Sequence, residues 1–228
     1  MRMVIKRIKR ARRDTLRFLS MKRDFEAGYA QASYAQEGED VIVATLLENV
    51  ARGFFVDVGA HHPKRFSNTY LLYLRGWSGI NIDPTPGSMN LFRNVRPRDN
   101  SLEVGVGRES AERRFFAFQE GALNTFDAGL ARERLDAGRA LVAEYKIRTR
   151  PLREILQEHC RRSVDFLNVD AEGCDLEVLQ SNDWDRYRPR VVCVEALRGD
   201  EDQANGWLME QGYELVALTG RSRIYRLR

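Results

Sequence analysis

The feature that most constrains the fold is an alternation of short apolar segments with amphipathic ones. Five nearly continuous apolar segments are typical of buried parallel strands: "FFVDVGA", "SGINIDP", "SLEVGVG", "VDFLNVDAEG" and "RVVCVEAL". Segments with helical spacing of apolar residues lie between them, for example "GSMNLFRNVR" and "LREILQEHCRR". The pattern predicts an α/β fold, a mostly parallel sheet with helices on both faces. The last stretch, "YELVALTGRSRIYRLR", predicts a hairpin that adds an antiparallel strand.

Two segments fit this pattern less well. "ERRFFAFQ" predicts an extra strand, and residues 119–145 give no clear prediction. The distribution of charge marks a boundary in the chain that the apolar pattern does not show. Residues 1–23 hold ten Lys or Arg and one acid, so the remaining residues carry 27 bases against 32 acids. We therefore predict a basic helical arm at residues 1–30 and a single domain at residues 31–228.

Acidic residues stand where the predicted strands end. Four of the five ends carry at least one, where Gly, Asn or Ser would be ordinary: Asp57, Asp83, Asp170 with Glu172, and Glu195. In an open parallel sheet, ligands bind beyond the carboxyl ends of the strands, at the point where the strand order reverses. We therefore predict that the functional site lies at this edge.

Gly59 and Asp83 indicate a nucleoside ligand. Gly59 allows a tight turn, and Asp83 follows 24 residues later, where an acid accepts hydrogen bonds from ribose hydroxyls. The pattern G-x-G-x-x-G is absent, which disfavours a pyrophosphate and hence a nicotinamide cofactor. A nucleoside with a positively charged end, such as S-adenosylmethionine, suits Asp57 better. The predicted cofactor-binding residues are Asp57, Gly59, Ala60, Asp83, Pro84, Gly105, Val106 and Gln36.

Three segments together resemble the FkbM family of S-adenosylmethionine-dependent methyltransferases. They are "SYAQEGEDVIVATLL", "GFFVDVGAHHPKRFSNTYLLYLRGWSGINIDPTPGSM" and "VDFLNVDAEGCDLEVLQSNDW", and the likeness runs from about Ser33 to Glu195. The resemblance implies a class I methyltransferase fold, Rossmann-like with seven strands, and O-methylation of a hydroxyl. Members similar to this chain often act on sugars of surface glycans, glycolipids or natural products. Where the family commonly has Asp-Val-Glu-Gly, this chain has Ala171 in place of Val.

Methyl transfer to a sugar hydroxyl benefits from a base that accepts its proton. The predicted catalytic residues are Asp170, His62 and Glu172. A helix-capping role for Asp170 and a turn-capping role for a histidine remain open. A divalent cation, Mg²⁺ or Mn²⁺, is also open, with Asp170 and Glu195 as its ligands, because such an ion would lower the pKa of the hydroxyl.

The acceptor is predicted to be a small molecule or a glycan. Two segments, "KRFSNTY" and "GALNTF", combine small polar side chains with an aromatic ring, a mixture that suits sugars. The predicted acceptor-binding residues are Lys64, Arg65, Asn68, Asn124 and Thr125. A non-sugar metabolite as acceptor, and a non-catalytic module that binds S-adenosylmethionine, are the alternatives.

The remaining predictions concern partners and location. A nucleic-acid substrate is disfavoured, because the basic charge is concentrated in the arm and no Asn-Pro-Pro-Tyr motif is present. The arm itself is suited either to packing on its own domain or to contact with a partner or an anionic membrane. Three cysteines without a CxxC motif and the absence of a long apolar run favour a cytoplasmic protein, with peripheral attachment at the inner membrane face left open. An oligomer is also left open.

Overall fold

The structure, a computed structural model, describes residue 22, residues 27–28, residues 30–195 and residues 201–228, without the side chains of residues 201 and 202. The chain divides into two units, residues 1–33 and 34–228, and the second is described below. The predicted helix of the basic arm lies, apart from residue 22, outside the described residues. Among the described residues, no helix is long and apolar enough to cross a bilayer.

The second unit is built on a seven-stranded sheet with the strand order β3-β2-β1-β7-β8-β10-β9. Its strands are β1 (Phe54–Val58), β2 (Ser78–Ile82), β3 (Asn100–Leu102), β7 (Phe166–Val169), β8 (Val191–Glu195), β9 (Tyr213–Leu218) and β10 (Ser222–Leu227). The first five run parallel, whereas β10 is antiparallel to both β8 and β9. The predicted α/β fold, a mostly parallel seven-stranded sheet with an antiparallel strand from the C-terminal hairpin, is therefore confirmed.

Seven helices lie before or between the strands of the described chain. They are α1 (Glu39–Leu46), α2 (Tyr70–Leu74), α3 (Ser88–Val95), α4 (Ala128–Asp136), α5 (Leu152–His159), α6 (Asp175–Gln180) and α7 (Glu201–Glu210), all within the described part of the chain. Every residue of β1 is buried, which requires cover on both faces. Val56 packs in one apolar cluster with residues of α5, α6 and α7, and Phe55 packs in another with residues of α1 and α2.

A second, three-stranded sheet departs from the sequence-based prediction. It has the order β4-β6-β5 and consists of β4 (Gly105–Val106), β5 (Ala111–Phe118) and β6 (Leu141–Arg150). The segment "SLEVGVG", predicted as one strand, is split: residues 100–102 pair with β2, and residues 105–106 pair with β6. The chain thus leaves the main sheet at residues 103–104. The predicted extra strand is β5, which pairs along its whole length with β6.

Residues 119–145, which had no clear prediction from the sequence, form a 3₁₀ turn at Gly121–Leu123, helix α4 and the first half of β6. Asp127 caps α4, because its side chain accepts a hydrogen bond from the backbone N–H of Leu130 at 2.8 Å. This segment covers the carboxyl ends of β1 and β7, so that part of the site comes from residues that the apolar pattern did not reveal.

Candidate active site

A cavity of about 280 Å³ opens where the order of the main sheet reverses, beyond the carboxyl ends of β1 and β7. Its size is close to the lower end of typical small-molecule clefts, about 300 Å³. The strand ends and the segment before α4 contribute most of its walls. The cavity is lined by residues that include Gln36, Asp57, Gly59, Ala60, His61, Arg65, Asp83, Pro84, Val104, Val106, Arg139, Asp170, Glu172, Glu195 and Arg221.

Gly59 is required by the sheet itself. Its φ is +78°, and a Cβ placed there would lie 1.7 Å from the backbone carbonyl oxygen of Asp170. A side chain at Gly59 would therefore push β1 away from the end of β7, where the cavity lies. The tight turn predicted at Gly59 is thus accompanied by a close approach of the neighbouring strand.

Asp83 holds the turn that follows β1. Its carboxylate accepts hydrogen bonds from the backbone N–H of His61 at 2.9 Å and of Thr85 at 2.8 Å. Asp83 is 6% exposed and lines the cavity. A carboxylate has about four acceptor positions, so two remain for hydroxyl groups of a ligand.

Asp57 belongs to a buried polar network. Its carboxylate accepts hydrogen bonds from Thr69 Oγ1 at 2.6 Å and from Asn168 Nδ2 at 2.9 Å. Thr69 Oγ1 in turn accepts a hydrogen bond from Arg96 Nη1 at 3.0 Å, and Arg96 Nε lies 2.7 Å from Asp99. Burial raises the pKa of Asp57, and the hydrogen bond from Thr69 opposes this. The residue therefore supports the fold as well as lining the cavity.

The two histidines have different positions. His62 Nδ1 accepts the backbone N–H groups of Lys64 at 3.1 Å and of Arg65 at 2.9 Å, so this ring caps the following turn. His61 lines the cavity, and burial lowers its pKa. His62 was predicted to be catalytic, but the structure places His61, and not His62, on the cavity wall.

Three carboxyl groups converge at the ends of β7 and β8. Asp170, Glu172 and Glu195 each offer an oxygen, and these oxygens lie within 4.8 Å of one another. Asp170 and Glu195 are close enough to share a hydrogen bond when one is protonated. Burial, followed by repulsion from neighbouring carboxylates, raises the pKa of both. The pair is therefore expected to hold a proton at neutral pH and to be more basic than an exposed carboxylate.

Glu172 differs from the other two because it forms an ion pair with Arg134 of α4. Burial raises the pKa of Glu172, and Arg134 opposes the shift. The loop that carries it is tied down by Asp175, which accepts the backbone N–H groups of Ala171 at 2.8 Å and Gly173 at 3.3 Å. Burial raises the pKa of Asp175 to about 7. Neither Arg134 nor Asp175 was predicted from the sequence.

Backbone strain coincides with the cavity. The described chain contains three non-glycine residues with positive φ, at 50°, 58° and 48°: His61, Phe66 and Glu172. All three line the cavity. Such conformations cost about 1–3 kcal/mol each and persist where the surrounding structure enforces them. Their concentration here indicates that this wall is shaped for a ligand.

Two buried polar atoms of the cavity wall lack a partner. Among the described residues, Nε2 of His61 and Oε2 of Glu195 are buried without a hydrogen bond. Buried polar atoms normally have hydrogen-bond partners, so a bound molecule with a donor or acceptor would supply the missing hydrogen bonds. With the carboxylates at the ends of β1 and β2, the cavity wall fits a nucleoside whose reactive end carries positive charge.

The structure also shows which predicted residues lie elsewhere. His62, Lys64, Asn68 and Gly105 are all described and are not part of the cavity lining. Asn68 Nδ2 donates to Asn168 Oδ1 at 2.9 Å, and a Cβ on Gly105 would meet the ring of Phe126 at 2.7 Å. Both residues are therefore occupied by packing within the protein.

The predicted acceptor residues that do line the cavity are partly engaged. Asn124 accepts the backbone N–H of Phe118 at 2.8 Å and donates to Thr85. Thr125 Oγ1 donates to the carbonyl oxygen of Glu172 at 2.7 Å. Arg65 is paired with Glu120 through two contacts of 3.0 and 3.3 Å. These side chains hold the segment before α4 against the cavity.

Comparison with known proteins decides the family. Residues 57–215 match the methyltransferase FkbM domain, a match that covers well over half of the chain. The chain belongs to the FkbM methyltransferase family. It is therefore an S-adenosylmethionine-dependent methyltransferase, as the sequence predicted. No curated protein matches this FkbM sequence.

Several solved structures are similar to this FkbM protein at low sequence identity. A precorrin-6y C5,15-methyltransferase from Geobacter metallireducens GS-15 has 13% identity and a TM-score of 0.45, covering 87% of this chain and 94% of that one. A TehB-like S-adenosylmethionine-dependent methyltransferase from Corynebacterium glutamicum ATCC 13032 Kitasato has 10% identity and a TM-score of 0.40, covering 94% of this chain and 98% of that one. An O-methyltransferase from Bacillus cereus in complex with S-adenosylhomocysteine has 10% identity and a TM-score of 0.48, covering 91% of this chain and 88% of that one. Identities this low say nothing about the acceptor of this chain.

Proposed function

We propose that this FkbM protein transfers a methyl group to a hydroxyl of a sugar in a glycan, a glycolipid or a natural-product precursor. The observation that carries the proposal is the carboxyl pair Asp170–Glu195 in the cavity at the sheet's switch point. A neutral alcohol is a poor nucleophile and needs a proton acceptor, whereas an amine that reacts as the free base needs none. A half-buried carboxyl pair with raised pKa values suits the alcohol.

The cofactor would lie across the ends of β1 and β2. We assign the ribose hydroxyls to Asp83, beside Pro84, and the methionine part to the turn of Gly59 and Ala60, with Asp57 facing its ammonium group. Val104 and Val106 line the cavity beyond Asp83 and would flank the adenine, and Gln36 would close the cavity from the segment before α1. Gly105, which the sequence also predicted to bind the cofactor, is not part of this wall.

The residues at the end of β7 would handle the acceptor. S-adenosylmethionine, when bound, supplies an activated methyl group. Glu195 holds the proton that the pair carries at neutral pH and donates it in the shared hydrogen bond to Asp170. Asp170, the ionised partner, accepts the proton of the acceptor hydroxyl. His61 Nε2, which has no partner among the described residues, would orient the hydroxyl. Holding the reacting groups in line can lower the activation free energy by up to about 7–11 kcal/mol.

Binding of a divalent cation is a second role that the same carboxyl groups could have. Three carboxylate oxygens within 4.8 Å fit Mg²⁺ or Mn²⁺, which prefer oxygen ligands. Glu172, however, is already neutralised by Arg134. We therefore propose proton acceptance by Asp170 as the primary role, with Asp170, Glu172 and Glu195 as the residues that would hold an ion.

A methyl-transfer assay tests this proposal. The purified protein is incubated with S-adenosylmethionine and a panel of free and nucleotide-linked sugars, phenols and amines, with either EDTA or Mn²⁺ present. We expect a product 14 Da heavier from a sugar, with the methyl on oxygen, and equal rates with EDTA and Mn²⁺. Methylation confined to amines or to non-sugar compounds would contradict the sugar assignment. A rate restored only by Mn²⁺ would assign the carboxyl groups to a metal.

A further inference from the structure

Two arginines at the cavity mouth have guanidinium groups without an ion-pair or hydrogen-bond partner among the described residues. Arg139 follows α4 and Arg221 lies in the turn between β9 and β10, and both side chains are exposed and line the cavity. The other arginine of the mouth, Arg65, is paired with Glu120. Unlike Arg65, the guanidinium groups of Arg139 and Arg221 are therefore available to an anionic ligand, although residues 24–228 are acidic as a whole.

The backbone around each of these arginines is fixed. Glu37 accepts the N–H of Arg221 at 3.0 Å, and Thr219 of the same turn donates to Glu39 at 2.8 Å. Arg139 donates its backbone N–H to the carbonyl of Arg134 at 2.9 Å. Only the two side chains are thus free to move, which lowers the entropy lost when they bind a ligand.

Arg221 lies at the acceptor end of the cavity. Its charge acts on Glu172 and lowers the pKa of that carboxyl group, and Glu172 belongs to the carboxyl cluster with Asp170 and Glu195. Arg139 follows α4, the helix whose Arg134 pairs with Glu172. We therefore assign the two guanidinium groups to the acceptor rather than to the cofactor.

An adjoining surface cavity of about 410 Å³ gives the acceptor room to extend. It is formed by residues 118–120, Leu123 and residues 138–140, and it shares Glu120, Leu123 and Arg139 with the first cavity. Arg139 thus stands at the junction of the two. A ligand that fills both cavities would therefore lie beside the guanidinium group of Arg139.

We propose that the acceptor is anionic and that Arg139 and Arg221 bind its phosphate or carboxylate group at the cavity mouth. Guanidinium groups bind both anions through paired hydrogen bonds. An anion could not lie deeper in the cavity, because Asp57, Asp170 and Glu195 are there. The inference rests on the proposed function and narrows it from sugars in general to acidic sugars.

The test measures binding of glucose, glucose 6-phosphate and glucuronate to the protein saturated with S-adenosylhomocysteine, by calorimetric titration. The variants are Arg139→Ala and Arg221→Ala. Arg132→Ala is the matched control, because Arg132 is an exposed arginine of α4 that does not line the cavity. We expect at least one acidic sugar to bind more tightly than glucose, and each cavity variant to weaken it about tenfold, as for loss of hydrogen bonds to a charged group. The control should bind like the wild type.

The acidic sugar that binds more tightly shows whether phosphate or carboxylate is preferred. Equal binding of glucose and the acidic sugars, unchanged binding in both cavity variants, or binding of none of the three sugars would overturn the inference. The proposed function is tested separately by the methyl-transfer assay. Methylation of a neutral sugar at a rate that neither substitution changes would leave that function standing and refute only the anionic acceptor.

Discussion

Replacing Asp170 with Asn should lower turnover by about 10²- to 10⁴-fold, the usual contribution of a general base, while the affinity for S-adenosylhomocysteine stays unchanged. The amide keeps the size of the side chain but cannot accept the hydroxyl proton. Turnover is measured with the best acceptor of the methyl-transfer assay, and affinity by calorimetric titration.

Glu172→Gln is the matched control for Asp170→Asn. It changes the same charge in the same cavity, but Glu172 is held in an ion pair with Arg134. We expect its loss of turnover to be much smaller. Equal losses in the two variants would move the role of base to Glu172. Normal turnover in Asp170→Asn would refute proton acceptance, and loss of folding in that variant would show that Asp170 is structural.

Replacing Arg96 with Met should lower the free energy of unfolding by about 3–5 kcal/mol, as for a buried ion pair that loses one partner. The side chains of Arg96 and Asp99 are both 0% exposed. The guanidinium also lies 5.0 Å from the ring centre of Phe55 and donates to Thr69, which holds Asp57. The substitution leaves a buried carboxylate without its counter-charge and loosens the end of β1. Urea unfolding followed by circular dichroism measures the change.

Arg93→Met serves as the control for Arg96→Met. Arg93 lies on α3, the helix that ends just before Arg96, but is exposed, and its replacement should change the free energy of unfolding by less than about 0.5 kcal/mol. The double variant Arg96→Met/Asp99→Asn should recover part of the lost stability, because it removes the unpaired charge and keeps an amide oxygen to accept the backbone N–H of Gly79. A loss below about 1 kcal/mol in Arg96→Met would show that the buried network contributes little.

The main sheet was predictable because its strands are short, apolar and separated by helical patterns. The second sheet was harder to predict, since β4 has only two residues and half of the residues of β6 are exposed. The segment of β6 does alternate, with Leu141, Ala143, Tyr145 and Ile147 at every second position. That period of two was the available signal for a strand in the region left without a prediction.

The site was predictable at the level of strand ends but not of individual side chains. The rule that ligands bind at the carboxyl ends of parallel strands located Asp83, Asp170 and Glu195 at the cavity. It could not separate His61 from His62, because the positive φ of His61 turns the chain and sets the two rings in different places. Nor could it pair Glu172 with Arg134, a residue 38 positions away on a helix that was not predicted.

The central claim is that the cofactor binds where β1, β2 and β7 end. Calorimetric titration with S-adenosylhomocysteine tests it most directly, with Asp83→Asn measured beside the wild type. We predict one site of micromolar affinity, about −8 kcal/mol, and about tenfold weaker binding in Asp83→Asn, as for loss of hydrogen bonds to a charged group. An absence of binding in the folded wild-type protein, or equal affinity in the two proteins, would contradict it.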